Sequence, residues 1–296
     1  MLMTEISAQL VRELREKTGA GFMECKKALL ETKGELSEAV MYIRKAGLAK
    51  ADRKAARVAA EGRVEVVLSP AGSEAAIVEV NAETDFVASS DDFKKFARRV
   101  ADAILVLRQS DSEVLSGYTL PDGQTIETER RQLVLRLGEN LIIRRFHHVI
   151  GRGTLFSYIH QGGKIGVVVD LEGGQAEVGR NLAMHIASAA PLWLDPDQAD
   201  SGWLNEQRTI VEHQSRQSGK PEAIIQKMIE GRLRKLMEEF SLIHQPYVRD
   251  PSLTVSDYLK QHAARVHAFI RYRVGEGIEK SQKDFAQEVM AEVNRR

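Results

Sequence analysis

The sequence predicts an α+β fold built in several parts, on three observations. Apolar residues recur at helical spacing through the first 47 positions, β-rich runs joined by turn residues begin near Glu61, and a strand-free helical stretch opens near Asp200. Elements of this kind in this order fit antiparallel sheets covered by helices.

The first segment reads as three short helices. Ile6, Leu10, Val11 and Leu14 form one stripe, broken by Gly19 and Gly21. Phe22, Cys25, Ala28 and Leu29 form a second, ended by Gly34; Leu36, Ala39, Val40 and Ile43 form a third, ended by Gly47. Leu48 to Ala60 is rich in Ala, Lys and Arg and reads as a helical linker. The expected first part is therefore 1–57, a helical bundle with its linker.

Arg63–Leu68 and Ala75–Val80 are β-rich and flank Ser69-Pro70-Ala71-Gly72, so a hairpin is expected. Ser89-Ser90-Asp91 supplies N-cap chemistry for a helix whose face carries Phe93, Phe96, Val100 and Ile104. A polar stretch with Pro121, Asp122 and Gly123 precedes a second helix running to about Leu137. Leu141–Ile150, Thr154–His160 and Ile165–Leu171 read as strands, and Val178, Leu182, His185 and Ile186 mark a helix stopped by Pro191. The order hairpin, connection, helix occurs twice, which suggests two core halves at 58–150 and 151–265. Ile225, Met228, Ile229, Leu233, Leu236 and Phe240 follow spacings of three and four after Ser218-Gly219-Lys220-Pro221. An antiparallel helical hairpin inserted at about 198–240 is expected. A C-terminal module at 266–296 is expected to hold a strand, Val266–Tyr272, and a terminal helix carrying Phe285, Val289, Met290 and Val293.

Composition narrows the function classes. Hydrophobic residues make up 43% and charged residues 28% of 296, as in globular proteins with a sizeable core. No apolar run spans a bilayer, and Met1–Leu10 lacks the pattern of a secretory signal, so a cytoplasmic location is expected, with no membrane partner. The true start is Met1 or Met3. A single cysteine, Cys25, fits a reducing compartment. Lys+Arg and Asp+Glu both number 42, so no direct nucleic-acid partner is expected. A local bias does exist: Met1–Arg57 holds 12 Lys/Arg against 8 Asp/Glu. It fits a solvated helical face or a docking surface for an acidic partner.

Catalytic chemistry is hard to find. No GxxxxGK[ST] loop occurs, and the glycines at 151, 153, 162 and 163 lie between strands, where turns explain them. His147 and His148 are neighbours on a strand and point to opposite faces, so they do not make a metal pair. Cys25 lies on an apolar stripe, as a core residue does. No cofactor and no enzyme activity are expected. Phe86 at a strand–helix junction could be core, but Asp85 and Ser89-Ser90 place its segment at a surface turn. His185, on an apolar helix face, has the pattern of a core histidine.

One set of motifs points further. Thr84-Asp85-Phe86-Val87-Ala88, Leu14 to Gly21 and Cys25-Lys26-Lys27-Ala28-Leu29 closely resemble the elongation factor Ts family. Gly138-Glu139-Asn140 with Arg144-Arg145, Ala183-Met184-His185-Ile186-Ala187, Ser218 to Pro221, Gln245-Pro246, Phe269-Ile270-Arg271 and Val274 to Gly277 continue the likeness in order. The resemblance implies an N-terminal ubiquitin-associated-like bundle, a two-part α+β core, an antiparallel helical hairpin and a C-terminal module. It implies binding to elongation factor Tu, in GDP-bound and nucleotide-free forms, and guanine nucleotide exchange without bond-making chemistry. It assigns Thr84, Asp85, Phe86 and Val87 to displacement of the partner's Mg²⁺, and Arg15, Phe22, Met23 and His185 to partner contact. The family pattern has methionine where Phe22 stands. The resemblance gives the hairpin dimer contacts in some members and partner contacts in others, so a homodimer through it is a further expectation. The alternative reading is a ribosome- or RNA-associated adaptor using the basic N-terminal bundle.

Overall fold

The computed structural model describes residues 6–279, and the expected terminal helix around Phe285 to Val293 lies outside the described residues. The chain mixes helix and sheet, as its patterning predicts. No helix among the described residues is long and apolar enough to cross a membrane.

Three helices open the chain: α1 (Ala8–Thr18), α2 (Phe22–Glu31) and α3 (Leu36–Lys54). Ser7 caps α1 by accepting from the Leu10 N–H, and Gly19 ends it in the left-handed region at φ 66°. Val11, Leu14, Cys25, Ala28, Leu29, Ala39 and Ile43 form the core between the three helices. Burial pushes the Cys25 thiol pKa up, which keeps it protonated and inert. The structure corrects the expected stop at Gly47, because α3 runs through it. A Cβ there would stand 3.1 Å from Cδ2 of Leu135, so the glycine serves close packing rather than termination.

Strands β1 (Glu61–Leu68) and β2 (Glu74–Ala82) form the expected hairpin, closed where the Ser69 N–H donates to the Glu74 carbonyl at 2.8 Å. Two helices follow, α4 (Asp85–Ser89) and α5 (Asp91–Leu107). Phe93, Phe96, Val100 and Ile104 line the buried face of α5. The polar stretch holds a short unpredicted helix, α6 (Ser112–Gly117), before α7 (Ile126–Leu137). Strand β3 (Leu141–Ile150) completes a three-stranded sheet in the order β1-β2-β3.

Strands β4 (Thr154–His160) and β5 (Ile165–Gly173) pair antiparallel, from Thr154 opposite Leu171 to His160 opposite Ile165. Helix α8 (Ala176–Ala189) packs on them. Helices α9 (Ser201–Arg216) and α10 (Glu222–Phe240) form the hairpin, zipped by Val211, Ile225, Ile229 and Leu233. Its base is held by aromatic edges, with Trp193 4.9 Å from Trp203 and Trp203 5.5 Å from Phe240. A small strand pair, β6 (Pro246–Tyr247) and β7 (Asp250–Thr254), and a helix, α11 (Val255–Gln261), follow. The last strand, β8 (Ala264–Arg273), joins β4 and β5 in the second sheet.

The chain divides into two compact units. One takes in residues 6–65, 78–147 and 273–279 of the described chain; the other takes in 66–77 and 148–272. The second unit's core includes Val167, Val169, Leu182, Ile186, Tyr247 and Tyr258.

Candidate functional site

Thr84 starts the shortest α-helix of the first unit. Its backbone is extended (φ −123°, ψ 158°) and its hydroxyl oxygen accepts from the Val87 N–H at 3.4 Å. Ser90 ends α4 and caps α5, accepting from the Phe93 N–H at 3.3 Å. The two caps lie six residues apart and force a turn whose underside is Ala88, which is buried. On the outer side stand Asp85 and Phe86, and the Phe86 ring is 85% exposed. A phenylalanine left in water forfeits ~2 kcal/mol or more of burial energy. An acid beside it, on a turn held at both ends, makes an aromatic–acidic tip with no partner among the described residues.

Thr84 is itself held from outside the turn. Its N–H donates to Glu139 Oε2 at 3.0 Å, and its Oγ1–H donates to Glu139 Oε1 at 2.6 Å. Sequence reasoning picked out the Gly138-Glu139-Asn140 block but gave it no role. The signal was the block itself, since nothing local to Glu139 reveals a partner 55 positions away.

The N-terminal residues Arg15, Phe22 and Met23 are all exposed, Phe22 at 50% and Met23 at 71%. They flank the Gly19-Ala20-Gly21 junction between α1 and α2. Arg12, Arg15 and Arg136 line a cleft beside that junction. Arg136 is paired with Asp92 at 3.3 Å, whereas Arg12 and Arg15 make no ion pair among the described residues. Exposed apolar groups next to uncommitted cations suit a partner surface that is apolar with acidic neighbours.

His185 is placed differently from the other assigned residues. It lies in the second unit, on the face of α8 that carries Leu182 and Ile186 inward, and none of its surface is exposed. The Val248 N–H donates to its Nδ1 at 3.2 Å, so Nε2 carries the proton and donates to Gln245 Oε1 at 3.1 Å. Burial lowers its pKa and the Gln245 bond opposes this only in part, so the ring is held neutral. Its helical pattern, read alone, had pointed to a core histidine.

The comparisons with known proteins agree with the motif blocks. The family model described as "Elongation factor TS" matches residues 83–276, which include the Thr84 turn, Glu139 and His185. Elongation factor Ts of Halorhodospira halophila is 48% identical over 288 residues, covering 97% of this chain and 98% of its own. Elongation factor Ts of Thioalkalivibrio sulfidiphilus is 48% identical over 289 residues, with 97% and 98% covered. Elongation factor Ts of Legionella pneumophila (strain Paris) is 46% identical over 291 residues, with 98% and 99% covered. On this similarity, which runs almost from end to end, the chain belongs to the elongation factor Ts family and is a translation elongation factor.

Proposed function

We propose that this chain binds elongation factor Tu, in its GDP-bound and nucleotide-free forms, and accelerates GDP release as a guanine nucleotide exchange factor. The observation that carries the reading is the bare Phe86 ring beside Asp85 on a turn capped at both ends. On this reading the tip enters the partner near its Mg²⁺ and phosphate site, displaces the ion and weakens the phosphate contacts. No bond is made or broken.

Energetics set what the tip must accomplish. A nucleotide held at nanomolar affinity is bound by roughly 12 kcal/mol. Speeding its release about 10⁴-fold asks for about 5.5 kcal/mol of barrier reduction. Burying one aromatic ring in a partner pocket supplies about 2–3 kcal/mol. Phe86 is therefore insufficient alone, and the exposed Arg15, Phe22 and Met23 surface supplies a second set of contacts. The buried His185 acts by holding its own unit together. Coupling is reciprocal: a factor that weakens nucleotide binding is itself displaced when nucleotide returns, which frees it for another round.

The test is direct. Elongation factor Tu loaded with fluorescent GDP is mixed with this protein and excess unlabelled nucleotide, and the fluorescence decay is followed. Acceleration that rises with protein concentration and then saturates is expected. A decay unchanged by micromolar protein would sink the proposal.

A further inference from the structure

Residues 83–84 and 139–140 brace each other in both directions. Thr84 gives two hydrogen bonds to the Glu139 carboxylate, and the Asn140 N–H returns one to Glu83 Oε1 at 2.7 Å. Asn140 is in turn anchored, because its side-chain amide donates to the carbonyls of Ala55 and Arg57 at 3.3 and 2.9 Å. Glu83 Oε2 lies 3.4 Å from Arg57 Nη1. All of these residues belong to the first unit.

The brace matters because α4 cannot orient itself. A helix of five residues has barely passed nucleation, so its direction is set by what fixes its ends, Ser90 at the last and Thr84 at the first. A carboxylate that takes both the backbone N–H and the side-chain O–H of one residue fixes that residue's backbone and its χ1 together. Charge-assisted bonds of this kind are about twice as strong as neutral ones. Phe86 lies two positions further on, so the direction of its ring is inherited from Thr84.

We propose that Glu139 is a positioning residue for nucleotide exchange, holding the Thr84 turn so that Phe86 is already aimed before the partner arrives. This rests on the reading of Phe86 as the inserted side chain. A preset tip lowers the ordering cost of insertion, so it favours every state in which the ring is inserted, the transition state for release and the nucleotide-free complex alike.

The experiment uses the full chain and four variants: Phe86→Ala, Glu139→Ala, Glu139→Gln and the Phe86→Ala/Glu139→Ala double. For each, stopped-flow release of fluorescent GDP from elongation factor Tu gives the saturating rate, and titration gives the affinity of the nucleotide-free complex. Glu139→Ala is expected to lower the saturating rate about tenfold, the loss of one to two good hydrogen bonds, and to weaken the nucleotide-free complex by no more than that same factor. Glu139→Gln keeps one acceptor for Thr84 but loses the charge and the second oxygen, so its rate is expected to fall between those of the parent and Glu139→Ala. In the Phe86→Ala background, losing Glu139 is expected to change nothing further, because there is no ring left to aim. Multiplying effects in the double variant would show that Glu139 acts elsewhere and overturn the proposal. So would Glu139→Gln behaving like Glu139→Ala while both melt as the parent does. If Phe86→Ala releases GDP at the parental rate, the reading of Phe86 fails first and takes this role with it.

Discussion

His185 and Gln245 are joined at 3.1 Å between Nε2 and Oε1, inside the second unit and away from water. The chain of bonds runs on in both directions. The Val248 N–H feeds His185 Nδ1, and the Gln245 amide donates to the Glu239 carbonyl at 3.0 Å. Helix α8, the last turn of the hairpin helix α10 and the segment around β6 are thereby tied through one imidazole. The tie works only with the ring neutral, since a proton on Nδ1 would leave two donors facing each other.

This gives a pH dependence with a definite sign. The folded pKa lies below the ordinary 6.5, so the unfolded chain takes up a proton first as pH falls. The stability His185 contributes is complete above pH 6.5 and is lost as pH drops toward its lowered folded value. The slope for one proton is at most about 1.4 kcal/mol per pH unit. Urea unfolding at pH 7.5 and 5.5 checks this. His185→Gln is expected to be less stable at the higher pH, yet to lose less than the parent between the two. Equal losses in both proteins would mean that other groups govern the acid limb.

A second buried polar centre lies in the first unit. Glu79, with none of its surface exposed, accepts from Arg145 Nε at 2.6 Å, from Arg144 Nη1 at 3.0 Å and from the Gly275 N–H at 2.8 Å. The arginines also reach the carbonyls of Arg273 and Glu276. A strand of the first sheet is therefore latched to the turn after β8. Glu79→Ala removes the shared acceptor of Arg144, Arg145, the Asn81 amide and the Gly275 N–H, and leaves Arg145 the Glu276 carboxylate at 3.2 Å. A loss of about 3 kcal/mol in urea unfolding is expected. Amide exchange should speed up at Gly275 ahead of global opening; uniform exchange changes would show that the latch is not local.

The sequence made some of this legible and hid the rest for physical reasons. The face of α5 was readable because Phe93, Phe96, Val100 and Ile104 keep helical spacing over three turns. Phe86 was readable as a surface tip because Asp85 and Ser89-Ser90 flank it. By contrast, Gly47 looked like a stop because its reason for being glycine, Leu135, lies in another element. Helix α4 escaped notice because five residues carry no period. The brace from Glu139 to Thr84 was invisible for the same cause as Gly47: long-range pairing leaves no local trace. At His185 two readings competed. The helical pattern said core, the family resemblance said contact, and burial sides with the pattern in this structure.

Two glycines in helix interiors should respond to alanine with opposite signs. Ordinarily Gly→Ala within a helix gains up to about 1 kcal/mol, because the unfolded chain loses freedom and the helix gains a better former. Gly231 in α10 has open space where its Cβ would go, so Gly231→Ala should realise that gain. Gly179 in α8 is the point where the helix meets β4. A Cβ there would fall 2.1 Å from Cδ2 and 2.3 Å from Cγ of Phe156, inside the ring's own volume. The ring is attached near the point of conflict, so no distal rotation relieves it, and α8 must lift from the sheet. Overpacking of this kind costs about 1–3 kcal/mol, which outweighs the propensity gain. Thermal melts of the two variants beside the parent decide it. Gly231→Ala should melt higher and Gly179→Ala lower, and a rise in both would show that the Phe156 ring can leave the face of α8 at little cost.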